Sequence, residues 1–142
     1  MVTTEIRPEI SKRSPYWISK HRYYELKHYC LQYPEWKYLY MSLDSISENN
    51  PSGISDKNKV SDPVHDAVEQ RLYLRQNMDL IENCCNEADP IIGRYIFMAV
   101  TNGFSFVQLQ MQHNIPCGKD MYYDRYRKFF YLLSVRKNHI IL

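Results

Sequence analysis

Residues 103–133 have the sequence GFSFVQLQMQHNIPCGKDMYYDRYRKFFYLL, and this pattern predicts two helices joined by a tight turn. Ser105 can cap a short first helix, because its hydroxyl can accept a hydrogen bond from a backbone N–H of the first turn. Three apolar side chains are expected on one side of that helix: Phe106, Leu109 and Met111. Asn114 follows, and asparagine tolerates the left-handed conformation that a tight turn requires. Pro116 then prevents a simple continuation of the first helix.

A second, longer helix is predicted to begin at Gly118 or Lys119. Its apolar residues recur at spacings of four, three and four, which predicts one buried stripe of Tyr122, Tyr126, Phe129 and Leu133. The opposite face is basic and aromatic. A short helix, a tight turn and a longer helix with such a face form a helix-turn-helix, which places its second helix in the major groove of DNA.

Six residues of the second helix are candidate DNA contacts: Lys119, Asp120, Tyr123, Arg125, Arg127 and Lys128. The first three lie in the opening turns, where we expect contacts to base edges, and the last two are expected to contact phosphates. Arg125 has two interpretations, because it borders the buried stripe and could instead fix the helix to a neighbour. A polar face of this kind is often only solvated, and internal ion pairs of Asp120 and Asp124 with Arg127 or Lys128 would then explain the acidic residues.

The same stretch resembles the helix-turn-helix of sigma-factor region four. The resemblance is carried by Gly103-Phe-Ser-Phe, Leu109, Asn114-Ile-Pro-Cys-Gly118 and Arg125-Tyr-Arg-Lys128. In its architecture the whole chain is similar to small phage transcription regulators of Gram-positive hosts, the ArpU-like and RinA-like late-gene activators. Two positions depart from the family, which has a small residue at Gln110 and a glycine at Asn114.

The resemblance implies a DNA-binding transcriptional regulator of phage or prophage genes. Its expected partner is double-stranded DNA, with RNA polymerase as a second partner, and its expected location is the nucleoid in the cytoplasm of a bacterial host. A hypothesis of another class is a small phage-encoded interaction protein that inhibits a host nucleic-acid machine, as anti-CRISPR proteins do. The basic second helix favours the first hypothesis, since an inhibitor that mimics DNA should be acidic.

The rest of the chain predicts an all-α fold, because no segment alternates cleanly over four or more residues. We expect an aromatic and basic helical segment at 1–43, a flexible linker at 44–61, and a helical domain at 62–142 that contains the helix-turn-helix at about 103–135. Asp62-Pro63 and Asp89-Pro90 each predict a helix start, and Gly103 predicts a helix end. The helix that ends there is apolar on nearly every side and should be central.

The N-terminal segment contains many tyrosines and bases, with a helix expected from Ser14 or Ser19 to about Leu31 and a short continuation at 36–43. Such residues can stack on single-stranded bases. They can equally join helices, with each ring packed inside and its hydroxyl in water, and we favour this interpretation. The apolar C-terminus, Ile140-Ile-Leu142, predicts docking onto the protein's own core or onto a second copy in a homodimer.

Composition limits the other function classes. The net charge is only +2, yet six Lys/Arg face two Asp/Glu from residue 103 onward, and the basic end coincides with the predicted helix-turn-helix. No apolar run approaches the length of a membrane span and no signal peptide is evident, so we expect a soluble protein. The four cysteines form no CxxC pair, which argues against a metal site and for reduced thiols. Without a phosphate-binding glycine loop or a nucleophile motif, we expect no cofactor and no enzymatic activity.

Overall fold

The computed structural model describes residues 14–49 and 63–141 of the chain. Within these ranges it contains six α-helices and no β-strand, so the predicted all-α fold is confirmed. The helices are α1 (Lys20–Leu31), α2 (Tyr33–Asn49), α3 (Pro63–Ala88), α4 (Gly93–Asn102), α5 (Phe106–His113) and α6 (Lys119–Ile141).

The helices belong to two compact units. Unit 1 spans Met1–Gln32 and Leu80–Leu142, and unit 2 spans Tyr33–Asp79. The division therefore differs from the predicted boundaries, because α1 belongs to the same unit as α4, α5 and α6. The predicted linker also differs in part, since α2 continues through residues 44–49, while residues 50–61 lie outside the described residues.

Local sequence chemistry sets several helix ends. α1 begins after Ser19, which is one of the two predicted starts, and the Ser19 hydroxyl accepts a hydrogen bond from the Arg22 N–H. α4 ends at Gly103, which adopts the left-handed conformation at φ 76° and donates its N–H to the carbonyl of Ala99, also as predicted. α3 begins at Pro63, and the predicted cap at Asp62 lies outside the described residues.

The start of α4 is later than predicted. The Asp89 carboxylate Oδ1 accepts hydrogen bonds from the backbone N–H groups of Ile91 and Ile92, at 2.8 and 2.9 Å. It therefore caps a turn that precedes the helix. The helix itself begins at Gly93, and its N-cap residue, Ile92, makes no side-chain capping bond.

The core of unit 1 is centred on α4, which packs against α1, α5 and α6. α1 also packs against α6, where the Tyr23 ring meets Phe130 edge-on at a centroid distance of 5.0 Å. The buried hydroxyl groups of Tyr23 and Tyr126 share a hydrogen bond of 2.9 Å. Tyr23 therefore packs between helices, as the packing interpretation expects, but its hydroxyl is buried against Tyr126 rather than in water. Burying each large apolar side chain contributes about 1.5–3 kcal/mol.

The described residues of unit 2 form α2 and residues 63–79 of α3. Among the side chains described there, the buried apolar ones are Tyr33, Trp36, Ala67, Leu74 and Met78. The Arg71 guanidinium lies over the Tyr40 ring at 4.6 Å from the centroid, which links the two helices by a cation–π contact. Large apolar side chains also remain exposed on both helices: Tyr38, Leu39, Met41, Val68, Leu72 and Tyr73.

Candidate nucleic-acid interface

α5 begins with a complete capping box. The Ser105 hydroxyl accepts a hydrogen bond from the Gln108 N–H at 3.2 Å, and the Gln108 side-chain oxygen accepts one from the Ser105 N–H at 2.8 Å. Two backbone donors of the first turn are thereby satisfied. This reciprocal pair fixes where a helix of only eight residues begins.

The connection between α5 and α6 depends on Asn114. This residue adopts the left-handed conformation at φ 51° and ends α5, as its type predicted. Ile115 follows and is buried, and its N–H donates to the carbonyl of Leu109 at 3.3 Å. α6 then begins at Lys119, with the Tyr122 N–H bonded to the carbonyl of Gly118. The chain direction therefore changes over a few residues held by backbone hydrogen bonds.

The inner face of α6 is the predicted stripe. Tyr122, Tyr126, Phe129 and Leu133 are all buried. Phe130 is buried as well and lies outside the predicted stripe, although its position four residues after Tyr126 is a pattern that indicates it. Across to α5, the Phe106 ring lies 5.1 Å from the Tyr122 ring. The prediction for Met111 was wrong, because this side chain is 78% exposed.

The start of α6 brings two candidate DNA contacts together. The Lys119 ammonium lies 5.8 Å from the centroid of the Tyr123 ring. This ring is half-buried and lies 6.1 Å from Phe106, so α5 limits its movement. Lys119 and Asp120 are exposed. The opening turn thus presents an ammonium, a carboxylate and a phenol on a rigid aromatic support.

Arg125 is held inside unit 1. Its Nε donates to the Asp89 carboxylate at 3.2 Å, and its guanidinium also pairs with Asp124. The hydrogen bond that Arg125 donates to the Asp89 carboxylate is the main cause that raises the pKa of Arg125. This geometry favours the second of the two interpretations, in which the residue fixes α6 to the turn before α4. Asp89 lies 36 positions away in the sequence, so no local pattern could have indicated the pair.

The environment of Asp89 makes it a strong ionic partner. Burial alone raises the pKa of a carboxyl group. Hydrogen bonds from the N–H groups of Ile92 and Ile91, together with Arg125, outweigh that effect, and the pKa of Asp89 falls below its ordinary value. The group is therefore ionised at neutral pH and pairs with a permanent cation.

The remaining cations of this face are Lys119, Arg127 and Lys128. Among the side chains that the structure describes, none of the three forms an ion pair. The expected pairing of Asp124 with Arg127 or Lys128 is not observed, because Asp124 pairs with Arg125 instead. Arg127 and Lys128 are partly exposed. Three positive groups are thus available to an anionic ligand.

The four cysteine thiols are a feature separate from this basic face. Cys30, Cys84 and Cys85 are buried and Cys117 is partly exposed, and all four are free. Burial raises the pKa of Cys84 to about 11. In the part of the chain that the structure describes, no cluster of His, Cys, Asp and Glu could hold a metal ion. The same residues include no helix with the length and apolar character of a membrane span.

No protein-family model, curated protein or solved structure matches the chain. Function is therefore inferred from the side chains that α5, its connection and the first half of α6 bring together. They combine a fixed aromatic layer with cations that have no acidic partner among the described residues.

Proposed function

We propose that the protein is a DNA-binding transcriptional regulator whose helix-turn-helix, α5 to α6, places the first half of α6 in the major groove. The observation that carries the proposal is the contrast between the two sides of α6. Its inner side is fixed by buried aromatic rings, and its outer side keeps Lys119, Arg127 and Lys128 without an acidic partner among the described residues. A helix that enters a groove needs a rigid base and polar groups that are free to contact DNA.

In this proposal, the opening turn of α6 contacts base edges. Lysine can donate to the O6 and N7 atoms of guanine, and aspartate can accept from the N4 amino group of cytosine. Lys119, Asp120 and Tyr123 are the residues assigned to this role. The Tyr123 ring is already restrained by Phe106, so ordering it on DNA loses little side-chain entropy.

Arg127 and Lys128 are assigned to phosphates. Arg127 follows Lys119 by two helical turns, which is roughly 12 Å along the axis at 1.5 Å per residue. The major groove is about 12 Å wide, so a helix that enters it by its N-terminus brings these later residues to the backbone at the groove edge. Arg125 is a positioning residue in this scheme, because its guanidinium is engaged by Asp89 and Asp124.

The biological setting rests on resemblance. The likeness of residues 103–133 to sigma-factor region four supports a regulator of phage or prophage genes in a bacterial cytoplasm, with RNA polymerase as a second partner. The basic charge from residue 103 onward supports DNA as the ligand. If no DNA binding is found, the inhibitor hypothesis becomes the better explanation.

The test begins with selection of a bound sequence from a random duplex pool. Affinities for the selected duplex and for random duplex are then measured by fluorescence anisotropy. Lys119→Ala and Tyr123→Ala should each weaken binding to the selected duplex by about 1–3 kcal/mol, roughly 5- to 150-fold, while random binding changes less. Arg127→Ala should weaken binding to both duplexes alike.

Lys20→Ala is the matched control, since it also removes one exposed lysine from unit 1. Its neighbour Arg22 bonds to Ser134, in the second half of α6, so this site is remote from the opening turn. The control should keep wild-type affinity. If no sequence is enriched, or if Lys119→Ala, Tyr123→Ala and Arg127→Ala all bind as the wild type does while folded, the proposal fails.

A further inference from the structure

α3 carries an exposed face in unit 2 that is complementary to itself. Val68 and Leu72 are four residues apart, and they are 49% and 59% exposed. Polar residues three or four positions from Val68 and Leu72 share their side of the helix, so all of them form one stripe. The stripe consists of His65, Val68, Glu69, Leu72, Arg75, Gln76 and Asp79.

The charges of this stripe are arranged symmetrically about Leu72. Glu69 lies three residues before it and Arg75 three residues after it. His65 and Asp79 lie seven residues before and after it. Within the helix, His65 Nε2 lies 3.0 Å from Glu69 Oε1, and Arg75 lies 2.8 Å from Asp79. In both pairs the basic residue therefore precedes the acidic residue by four positions.

We propose that this face binds a second copy of the chain, with the two α3 helices antiparallel across a two-fold axis at Leu72. In such an interface each contact between two positions occurs twice. Leu72 then meets Leu72 of the second copy, and Glu69 meets Arg75 of the second copy. His65 lies opposite Asp79 of the second copy.

The symmetry closes a network of charges. Glu69 of each copy then lies between its own His65 and Arg75 of the other copy, and Arg75 of each copy lies between its own Asp79 and Glu69 of the other. Val68 and Leu72 lose water at the centre, which supplies the apolar contribution. A partner peptide of one charge sign would match only half of the stripe. A second copy matches both halves, and the closed pair leaves no face for a third.

Charge reversal gives a sharp test, with sedimentation velocity over a range of protein concentrations as the measurement. Glu69→Arg places like charges opposite each other twice in a homodimer, and so does Arg75→Glu. Each variant alone should be monomeric at concentrations where the wild type dimerises. An equimolar mixture of the two variants should dimerise again, because both contacts then join opposite charges. The variants change net charge in opposite directions, so a general charge effect cannot produce this pattern.

Leu72→Asp should also abolish dimerisation, and Ile91→Ala is its control. Ile91 is an exposed aliphatic residue of unit 1, at 69%, so its loss should leave the dimer intact. Circular dichroism verifies that each variant keeps its helices. The inference is overturned if the wild type is monomeric at all concentrations, if it dimerises but Leu72→Asp still does so, or if the mixture of charge variants stays monomeric. No DNA is present, so these outcomes are independent of the proposed DNA binding.

Discussion

Units 1 and 2 bury their apolar side chains to different degrees. Unit 1 fully buries large side chains from several helices, among them Leu26, Ile96, Leu109, Phe129 and Phe130. The described part of unit 2 consists of two helical segments and leaves several large apolar side chains in water. A helix pair has too little surface to enclose the side chains of both its faces. Unit 1 should therefore dominate the stability of the monomer, and unit 2 should be tolerant of substitution.

The largest expected contrast comes from one substitution made in both units. Tyr23 is 3% exposed in unit 1, and Tyr38 is 73% exposed in unit 2. Tyr23→Ala should lower the free energy of unfolding by about 3–5 kcal/mol, because it leaves a cavity and removes the partner of the Tyr126 hydroxyl. Tyr38→Ala should change it by less than about 0.5 kcal/mol. Urea unfolding followed by circular dichroism measures both, and similar losses would remove the distinction between the units.

A smaller effect is expected at Gly93, which tests how tightly unit 1 is packed. A Cβ atom at this position would overlap the backbone of Cys85, with the carbonyl carbon at 2.9 Å. Gly93→Ala should lower the free energy of unfolding by about 2–3 kcal/mol, because backbone cannot move aside as a side chain can. Gly118→Ala is the control, since an added Cβ there meets nothing within 4 Å. The thermal unfolding midpoint of Gly93→Ala should lie clearly below that of Gly118→Ala. Equal midpoints would show that α3 and α4 can move apart with little loss of stability.

The smallest effect is expected at Asp89 and depends on pH. Asp89→Asn keeps an oxygen for the N–H groups of Ile91 and Ile92 but loses the charge that pairs with Arg125. It should lower the free energy of unfolding by about 1–2 kcal/mol at neutral pH. The pKa of Asp89 is lowered by folding, so its ionic contribution is complete above about pH 4 and is lost as the pH falls through the folded-state value. Unfolding curves of wild type and variant should converge in acid, and a difference that persists there would contradict the ionic account.

Interactions between residues close in sequence were sufficient to predict much of the candidate site. Ser105, Gly103 and Asn114 each end or begin a helix through bonds to residues within five positions, so their types predicted their conformations. The spacing of the α6 stripe likewise predicted its burial, because a helix has a fixed period. These features need no knowledge of the rest of the chain.

Features that depend on distant residues could not be predicted in this way. The placement of α1 in unit 1 depends on contacts such as Tyr23 with Tyr126, which lie 103 positions apart. The engagement of Arg125 depends on Asp89, and the exposure of Met111 depends on which helices cover α5. Apolar spacing predicts that a face will be buried but does not identify what buries it.

The cysteines allow the opening of unit 1 to be followed over time, separately from unit 2. All four lie in unit 1, and unit 2 has none. Burial raises the pKa of Cys30 and Cys85, so very little thiolate exists in the folded state to react with an alkylating reagent. Each of these thiols becomes reactive only when the helices around it separate. Once the partly exposed Cys117 has reacted, the rate at which a reagent modifies the buried thiols therefore reports how often unit 1 opens, and unit 2 contributes no thiol to the signal.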